Sequence, residues 1–431
     1  MTDLLKTPAA WPSILLKRAG AADPTDLDRA VIAGAFDGLH KAVRDLGGTA
    51  TIATIAASGL RGRGGAGFPA GDKWRLSASI DAPQRYVVAN GYGADPASHT
   101  DRTLLARDPF AVIEGAAIAA YAIGASRVYI AVRAEDTAIV AALTAAIGAA
   151  TDAGYLGVNV LGSGHDIDVE VRPVQGAYML GEETVLLKAL EGKRGQPEQR
   201  PPHPAERGLL GMPTVVHNVQ TLAAVPWIIR HGPEAFAAIG DPDAPGTILV
   251  GLRGPGGDGI AEVPTGTALR DIVALGGGLP AGRSLQAVLV GGPSGGLLPP
   301  AALDTPYTFA ALRDAGAHVG SGSVTVVDDR TDLVELVGVL TRFCAGEACG
   351  KSIPCRIGTR RLAEIVARRE AGHIRPSDAR LAADLAHDIC ASGLCDHERL
   401  TTLPLTSGMR YFASQFDPAG DPIAAASEAP R

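Results

Sequence analysis

Aromatic side chains are scarce in this sequence: Phe, Trp and Tyr together make up 4% of its 431 residues. Charged residues make up 20%, and the formal net charge is −7. Nucleic acids and anionic membranes attract surfaces with an excess of positive charge. The acidic balance therefore argues against a general nucleic-acid or membrane-surface binder, and the cores have to be packed with small side chains.

Long apolar runs are also missing. The most apolar stretch, AVIEGAAIAAYAIGA, carries Glu114 and falls short of the roughly 20 apolar residues that span a bilayer. The first twenty residues lack the apolar core of a signal peptide. We expect a cytoplasmic protein with no direct membrane insertion, at most peripheral to the cytoplasmic face of a membrane complex.

Cysteines number only five, and in a reducing compartment they indicate metal or redox chemistry more than disulfides. Three of them fall in the segment FCAGEACGKSIPC, residues 343–355. Ser352 stands three residues after Cys349 and three before Cys355, where a cysteine would complete C-x-x-C-x-x-C, a spacing typical of iron–sulfur ligands. The alternative is a set of unrelated buried thiols, which applies most readily to Cys344 and Cys395.

The order of secondary structure predicts an α/β protein. Up to about residue 240, apolar strand patterns alternate with helical patterns, which is typical of βαβ units around a mainly parallel sheet. After the linker GDPDAPG, short strands indicate a small α+β module, and a run of helices follows. We predict lead-in helices over 1–50, an α/β domain over 51–240, the small module over 245–325, a helical domain over 331–415 and a disordered tail over 416–431.

A glycine-dense segment contains the pattern G-x-G-x-x-G at Gly62, Gly64 and Gly67. The dinucleotide-binding fingerprint needs a preceding strand, whereas the preceding run here is Ala-rich and helix-like. We therefore reject the ordinary Rossmann fingerprint. An anion cradle remains open, with Arg63 and Lys73 adding positive charge, and so does a purely structural turn.

Three segments together resemble the FMN- and NADH-binding 51-kDa-type subunit of respiratory complex I, a family that includes subunits of NAD-linked hydrogenases and formate dehydrogenases. They are SGLRGRGGAGFPAGDKW, GAYMLGEETVLLKALEGKRGQPEQRPPHPAERGLLGMPTVVHNVQTL and the cysteine segment. The resemblance implies a Rossmann-like FMN-binding domain, a ubiquitin-like β-grasp module of the SLBB type and a helical-bundle domain with a [4Fe–4S] cluster. It also implies that NADH delivers hydride to FMN and that electrons then leave singly through iron–sulfur centres.

The resemblance assigns roles residue by residue. It places Glu182 and Glu183 at the nicotinamide and its ribose, as the catalytic pair, and Phe68 stacked near the nicotinamide. A solvated helix start is the alternative for the two glutamates. The predicted cofactor-binding residues are Gly62, Arg63, Gly64, Gly65, Gly67, Lys73, Asn90, Tyr178, Gly181, Thr184 and Asn218.

Several positions depart from the family pattern, mostly on the side of the nicotinamide dinucleotide. Where the family has acids after its first strand, this sequence has Tyr92, Gly93 and the shorter Asp95. His203 and Leu76 replace aromatic residues; losing two stacking rings costs on the order of 1 kcal/mol each. These departures indicate a divergent paralogue that keeps FMN and has a modified NADH site.

The resemblance places the cluster ligands at Cys349, Ser352, Cys355 and Cys390. Serine offers a harder oxygen ligand than a thiolate, so three outcomes stay open: a serine-ligated cube, a three-iron cluster with an empty corner, or no cluster. Cys344 or Cys395 could instead supply the missing thiol. Of these outcomes we favour a bound cluster.

Three functions are consistent with the sequence. The leading one is an NADH dehydrogenase-type flavoprotein subunit that passes electrons to a partner. The chain lacks a further cysteine set, so the acceptor is expected to be a separate [2Fe–2S], thioredoxin-like subunit or another acceptor protein. The alternatives are an FMN and iron–sulfur relay that does not use NADH, and a cofactor-free assembly or binding paralogue.

Overall fold

The computed structural model describes residues 3–20 and 23–416. The strands in this part of the chain are β1 Tyr86–Asn90, β2 Arg127–Arg133, β3 Asp168–Val174, β4 Thr214–Asn218, β5 Thr247–Arg253, β6 Gly259–Pro264, β7 Leu285–Val290, β8 Gly296–Leu298 and β9 Ser323–Asp328. The helices are α1 Leu27–Ile32, α2 Asp37–Lys41, α3 Gly47–Ala57, α4 Ala70–Ser79, α5 Thr100–Arg107, α6 Pro109–Ile123, α7 Thr137–Asp152, α8 Glu183–Leu190, α9 Val219–His231, α10 Pro233–Ala237, α11 Leu269–Leu275, α12 Phe309–Asp314, α13 Leu333–Glu347, α14 Ile353–Glu370, α15 Asp378–Ser392, α16 Asp396–Leu400, α17 Leu403–Tyr411 and α18 Ala413–Phe416.

The first four strands form a parallel sheet in the order β3-β2-β1-β4. The nearly fully buried helix α6 packs against this sheet and against α9. The strand order reverses beside β1, where Asn90 and Asn218 are register partners at the carboxyl ends of β1 and β4. Ligands of open parallel sheets bind at such a switch point. The predicted α/β architecture with a parallel sheet is confirmed, and its topology points to this crevice.

The second sheet has the order β6-β5-β9-β7-β8. Its central pair, β5 and β9, is parallel, and the other pairs are antiparallel. The motif GGPSGG forms the short turn between β7 and β8. Helices α13 to α18 follow and pack partly on this sheet, since Leu289 and Leu297 share a core with Leu333 and Val337. The predicted helical C-terminal region is thereby confirmed.

The predicted tail, 416–431, lies outside the described residues except for Phe416, which is buried in α18. Within the described ranges, no helix combines the length and the apolar character needed to cross a membrane.

The N-terminal segment is held by one buried carboxylate on β6. Glu262 accepts the backbone N–H groups of residues 14–16 at 2.7 to 2.9 Å. The hydroxyls of Ser13 and Thr247 donate to the same carboxylate at 3.0 and 2.6 Å. A single charge in the second sheet therefore anchors the lead-in segment.

We predict that Glu262→Gln loosens this segment, because the amide keeps only one acceptor oxygen for five donors. Hydrogen bonds to charged groups contribute about 1.5–3 kcal/mol, so the amides of residues 14–16 are expected to exchange about 10- to 100-fold faster with deuterated solvent. Hydrogen exchange followed by mass spectrometry measures this. Glu170→Gln, at a carboxylate 46% exposed, is the control and should leave exchange there unchanged.

Candidate functional site

The loop over residues 62–67 connects α3 to α4 and lies against the start of α9. The N–H of Arg63 donates to Oγ1 of Thr221 at 2.8 Å. A Cβ on Gly64 would lie 3.2 Å from the Cβ of Asn218. The loop backbone is therefore pressed against a helix N-terminus, which is the arrangement that favours an anion.

Two positions in this loop require glycine. Gly65 has φ +112° and Gly67 has φ +65°, the left-handed region that side chains disfavour. A Cβ on Gly67 would also come within 2.9 Å of the ring of Phe309. The N–H of Gly62 donates to the carbonyl of Phe68 at 2.9 Å, which closes the loop.

Arg63 lies behind the loop with its side chain buried. Its guanidinium donates to the carbonyl of Pro245, and its Nε and Nη1 have no partner among the described residues. Burial, followed by the nearby charge of Arg61, lowers the pKa of Arg63 to about 10, so it remains a cation at neutral pH. Buried polar groups normally have hydrogen-bond partners. The two unpartnered donors fit an anionic group such as the phosphate of FMN.

Lys73 and Glu183 form a partly buried ion pair beside the loop. Nζ of Lys73 lies 2.8 Å from Oε2 of Glu183 and donates to the carbonyl of Val216 at 3.2 Å. Nη1 of Arg200 lies 3.1 Å from the other oxygen of the same glutamate. One carboxylate is thus held between two cations at the crevice.

Phe68, Asn90 and Gly181 complete this region. The ring of Phe68 is 47% exposed, and Nζ of Lys73 lies 5.8 Å from its centre. Nδ2 of Asn90 donates to the carbonyl of Gly181 at 3.3 Å. The structure therefore brings together the glycine loop, Lys73, the end of β1 and the glutamate turn, which is the turn that carries Glu182 and Glu183.

Glu182 and Glu183 are neighbours whose pKa values are shifted in opposite directions. Glu182 is the N-cap of α8 and accepts the N–H of Val185 at 2.8 Å. Burial raises the pKa of Glu182. Burial also acts to raise the pKa of Glu183, but the charges of Lys73 and then Arg200 outweigh it, so the pKa is lowered. Thr184 uses its hydroxyl internally, accepting the N–H of Glu198 at 2.9 Å.

We predict that the two carboxyls titrate on opposite sides of the ordinary glutamate pKa of 4.5. As pH falls, Glu182 takes up its proton first and Glu183 stays ionised longer. Replacing Arg200 with methionine should raise the pKa of Glu183, because one of its two cations is lost. Carboxyl carbon NMR of glutamate-labelled protein measures both, with the exposed Arg172→Met as a control. Two indistinguishable titrations near 4.5 would contradict this prediction.

Asn218 caps α9 with its own side chain. Its Oδ1 accepts the N–H of Gln220 at 2.9 Å, and its Nδ2 donates to Asp101 at 2.6 Å. Burial raises the pKa of Asp101 to about 6. The amide is therefore fixed by its neighbours at the end of β4.

Tyr178 makes its described contacts away from the glycine loop. Its hydroxyl lies 2.8 Å from Oγ of Ser294, and its N–H donates to Glu347 at 2.9 Å. Its ring packs edge-on against Phe343 at 5.3 Å and against His397 at 6.0 Å. The tyrosine thus lies next to the turn before β8 and the C-terminal helices.

The substituted positions after β1 are tied down by one arginine. The ring of Tyr92 is buried, and the guanidinium of Arg133 lies 4.6 Å from its centre. Nη2 of Arg133 donates to the carbonyl of Gly93 at 2.9 Å. Asp95 is buried as well, and burial raises its pKa to about 6. This loop therefore presents less negative charge than the family pattern implies.

The histidines near the site have no catalytic geometry. Nε1 of Trp74 donates to Nε2 of His217 at 2.8 Å, and burial lowers the pKa of His217 well below 6.5. It is thus a neutral core residue. His203 is exposed, and its charge is among the weaker causes that lower the pKa of Glu183.

Three other cysteines lie close enough to Cys355 to affect the pKa of its thiol. Burial raises the pKa of the Cys355 thiol to about 12; the charge of Glu398 and the thiols of Cys395, Cys349 and Cys344 add to the rise. Cys395 is buried, and Cys349 packs against the same apolar core. The thiol of Cys344 donates to a backbone carbonyl at 3.5 Å.

The surroundings of Cys390 differ from those of the other four cysteines. It is half-buried near the end of α15, and its sulfur lies 3.5 Å from the carbonyl of Arg399 and 3.4 Å from the hydroxyl of Thr402. Cys395, five residues later, is 2% exposed and influences Cys355. Burial and proximity to Cys355 make Cys395 a candidate for the fourth thiol beside Cys390.

Ser352 is the N-cap residue of α14, and its buried Oγ has no hydrogen-bond partner in the described ranges. In the same ranges, no group of three or more Cys, His, Asp or Glu side chains could hold a metal ion. An iron–sulfur cube instead distributes its ligands over four corners. A buried oxygen without a partner, in the segment between Cys349 and Cys355, fits such a group.

Two family models match the chain. The "Nuo51 FMN-binding domain" matches residues 55–227, and the "NADH-ubiquinone oxidoreductase-F iron-sulfur binding region" matches residues 335–419. The F 2 subunit of NADH-quinone oxidoreductase in Rhizobium meliloti (strain 1021) is 37% identical over 94% of this chain and 96% of its own length. The chain belongs to the family of NADH-quinone oxidoreductase F subunits. The FMN-binding domain and the iron–sulfur region predicted from the sequence are thereby confirmed.

Relatives with other names are about as similar to this chain as the F subunits are. "NADP-reducing hydrogenase subunit HndC" of Solidesulfovibrio fructosivorans is 38% identical over 94% of this chain and 82% of its own length. A solved structure, "NAD+-reducing [NiFe]-hydrogenase in the H2-reduced state", has a TM-score of 0.84 at 32% identity, covering 98% of this chain and 68% of that chain. The prediction of an oxidoreductase flavoprotein subunit is confirmed at the level of the family.

Sequence reasoning missed two arginines of this F-subunit site. The sequence pattern assigns no role to Arg200 or Arg133. Both act across at least 17 residues of chain, since Arg200 bonds to Glu183 and Arg133 to Gly93. Their positive charge is the signal that could have identified them. Arg200 pairs with a carboxylate, and Arg133 binds backbone carbonyls.

Proposed function

We propose that this protein takes electrons from NADH at the crevice of its parallel sheet and passes them to a partner protein through an iron–sulfur cluster. The observation that carries this is the ion pair of Lys73 and Glu183 beside a glycine loop, at the point where the strand order reverses. A phosphate-binding backbone and a carboxylate for ribose hydroxyls thus lie in one crevice.

The residues proposed to hold FMN are the predicted set from the glycine loop to Asn218. Bound FMN supplies the exchange between two-electron hydride chemistry and single electrons. Arg63 and Lys73 would hold its phosphate with positive charge, and Asn90 and Asn218 would offer side-chain amides at the strand ends. Tyr178, whose contacts lie toward the C-terminal helices, would act from the far side of the glutamate turn.

For the dinucleotide, we propose that Glu183 accepts the ribose hydroxyls, because its lowered pKa keeps it ionised. Glu182, whose pKa is raised by burial, would lie next to it as the more readily protonated carboxyl. The half-exposed ring of Phe68 would stack on the nicotinamide.

For the cluster, we propose Cys349, Ser352, Cys355 and Cys395 as ligands. Cys390, the fourth ligand in the sequence-based set, becomes the alternative. The cluster supplies a one-electron centre when bound. The thiol pKa values raised by burial mean that the iron has to drive deprotonation.

We also propose the domain division 51–240, 245–325 and 331–415, with the middle module a ubiquitin-like β-grasp of the SLBB type. The sheet order β6-β5-β9-β7-β8, with its central parallel pair, supports this assignment. A separate [2Fe–2S] subunit, or another acceptor protein, would take the electrons.

A second candidate, an FMN and iron–sulfur relay that does not use NADH, is favoured by the loop after β1. There Tyr92 and Gly93 replace acids, and Arg133 binds the loop backbone. An anaerobic NADH titration that follows flavin absorbance and cluster paramagnetism together tests both. Loss of flavin absorbance together with a change in cluster paramagnetism on addition of NADH supports the first. The same two changes with dithionite alone support the second, and protein without flavin or iron would contradict both.

A further inference from the structure

An exposed stripe on α14 combines apolar and basic side chains beside the cysteine segment. Ile353 is 65% exposed and Ile357 is 48% exposed, one helical turn apart. Arg356, Arg360 and Arg361 are exposed on the same stretch. Exposed aliphatic side chains that adjoin one another, rather than standing singly, are the kind of surface that marks interaction sites.

The charge of this stripe is opposite to that of the whole chain. Arg361 is paired with Glu364 at 2.7 Å, whereas Arg356 donates only to the carbonyl of Gly350 at 3.3 Å. Arg360 makes no ion pair with any described residue. The chain as a whole carries −7, so this is a local basic patch on an acidic protein, complementary to an acidic partner.

The stripe also lies over the proposed cluster site. The first two turns of α14 bury Cys355 and Gly358 on one face and expose Ile353 and Ile357 on the other. The diameter of a helix with its side chains is about 10–12 Å. An electron acceptor that docked on this face would therefore be separated from the cluster ligands by little more than one helix.

We propose that the exposed face of α14, formed by Ile353, Arg356, Ile357 and Arg360, is the docking surface for an acidic electron-accepting protein. The proposal rests on the proposed function for the existence of the cluster beneath this face. It specifies the partner's chemistry: a carboxylate-rich rim around an apolar contact, with an iron–sulfur centre near its surface.

The test uses holoprotein and an acidic [2Fe–2S] ferredoxin as the probe, with affinity measured by calorimetry at low and high salt. The double variant Ile357→Asp with Arg360→Glu should bind at least about tenfold more weakly, and wild-type binding should weaken as salt rises. The matched control is Arg380→Glu with Leu381→Asp. Both residues lie near the start of α15. The ion pair of Arg368 with Asp378 joins that start to the end of α14 that is distant from the stripe.

Equal ferredoxin affinity in the wild type and the stripe variant overturns the proposal. Tight binding only after removal of residues 417–431, which contain Asp417, Asp421 and Glu428, overturns it in favour of this chain's own tail. Concentration-dependent dimerisation that the stripe variant abolishes overturns it in favour of a second copy. NADH-dependent ferricyanide reduction by the wild type is measured in parallel. If the wild type shows no such activity, the proposed function is contradicted. The docking surface is tested by ferredoxin affinity alone.

Discussion

Replacing Lys73 with methionine is expected to weaken FMN binding by about 10- to 100-fold. Methionine keeps the length of the side chain but removes its charge, and a hydrogen bond to a charged group contributes about 1.5–3 kcal/mol. The loss is compounded because Glu183 then faces the anion with Arg200 as its remaining cation. Fluorescence titration of apoprotein with FMN measures the affinity.

Arg75→Met is the matched control for this change. Arg75 lies on the same helix, is 61% exposed and pairs with Asp72, so its loss should leave FMN affinity unchanged. If Lys73→Met and Arg75→Met bind FMN equally well, the glycine loop is a structural turn and the phosphate lies elsewhere.

Replacing Cys395 with alanine is expected to eliminate the iron–sulfur cluster, whereas Cys390→Ala should retain it. The physical reason is position: Cys395 is buried and close to Cys355, whereas the half-buried sulfur of Cys390 lies next to a carbonyl and a hydroxyl beside α16. Iron and sulfide analysis with paramagnetic resonance of dithionite-reduced protein gives the readout. Loss of iron in Cys390→Ala with retention in Cys395→Ala would reverse the assignment.

Ser352→Cys separates the remaining cluster outcomes. A serine-ligated cube should keep its iron content and change its resonance spectrum when the oxygen becomes sulfur. A three-iron cluster with an empty corner should gain one iron. Thermal unfolding of each variant, compared with the wild type, excludes a folding defect as the cause.

The sequence allowed the glycine loop and its lysine to be found, because both lie in one short motif whose spacing is local. It also allowed the parallel sheet to be predicted, since each strand is a short apolar run between helical patterns. The placement of Tyr178 was not accessible, because its orientation depends on α13, whose Phe343 contacts its ring from a distant part of the chain.

The choice between Cys390 and Cys395 shows a finer limit. On α15 the buried positions are Asp378, Ala382, Ala386 and Ile389, so Cys390 is rotated by about 100° from the buried Ile389. Gly393, with φ +57°, then ends the helix and lets the chain turn back so that Cys395 enters the core. Helical periodicity could have signalled the first fact, but the direction of the turn after Gly393 depends on tertiary packing.

Two of the proposed cluster ligands share one apolar core with the segments that are proposed to bind the dinucleotide. Cys395 packs together with Tyr92, Leu180 and Leu186, and Cys349 lies against the same group. Close-packed interiors have low compressibility, so the spacing between the proposed cluster site and the proposed dinucleotide site is set by direct contact and not by a hinge. Internal electron tunnelling should therefore be ungated by domain motion, and its rate should not respond to solvent viscosity.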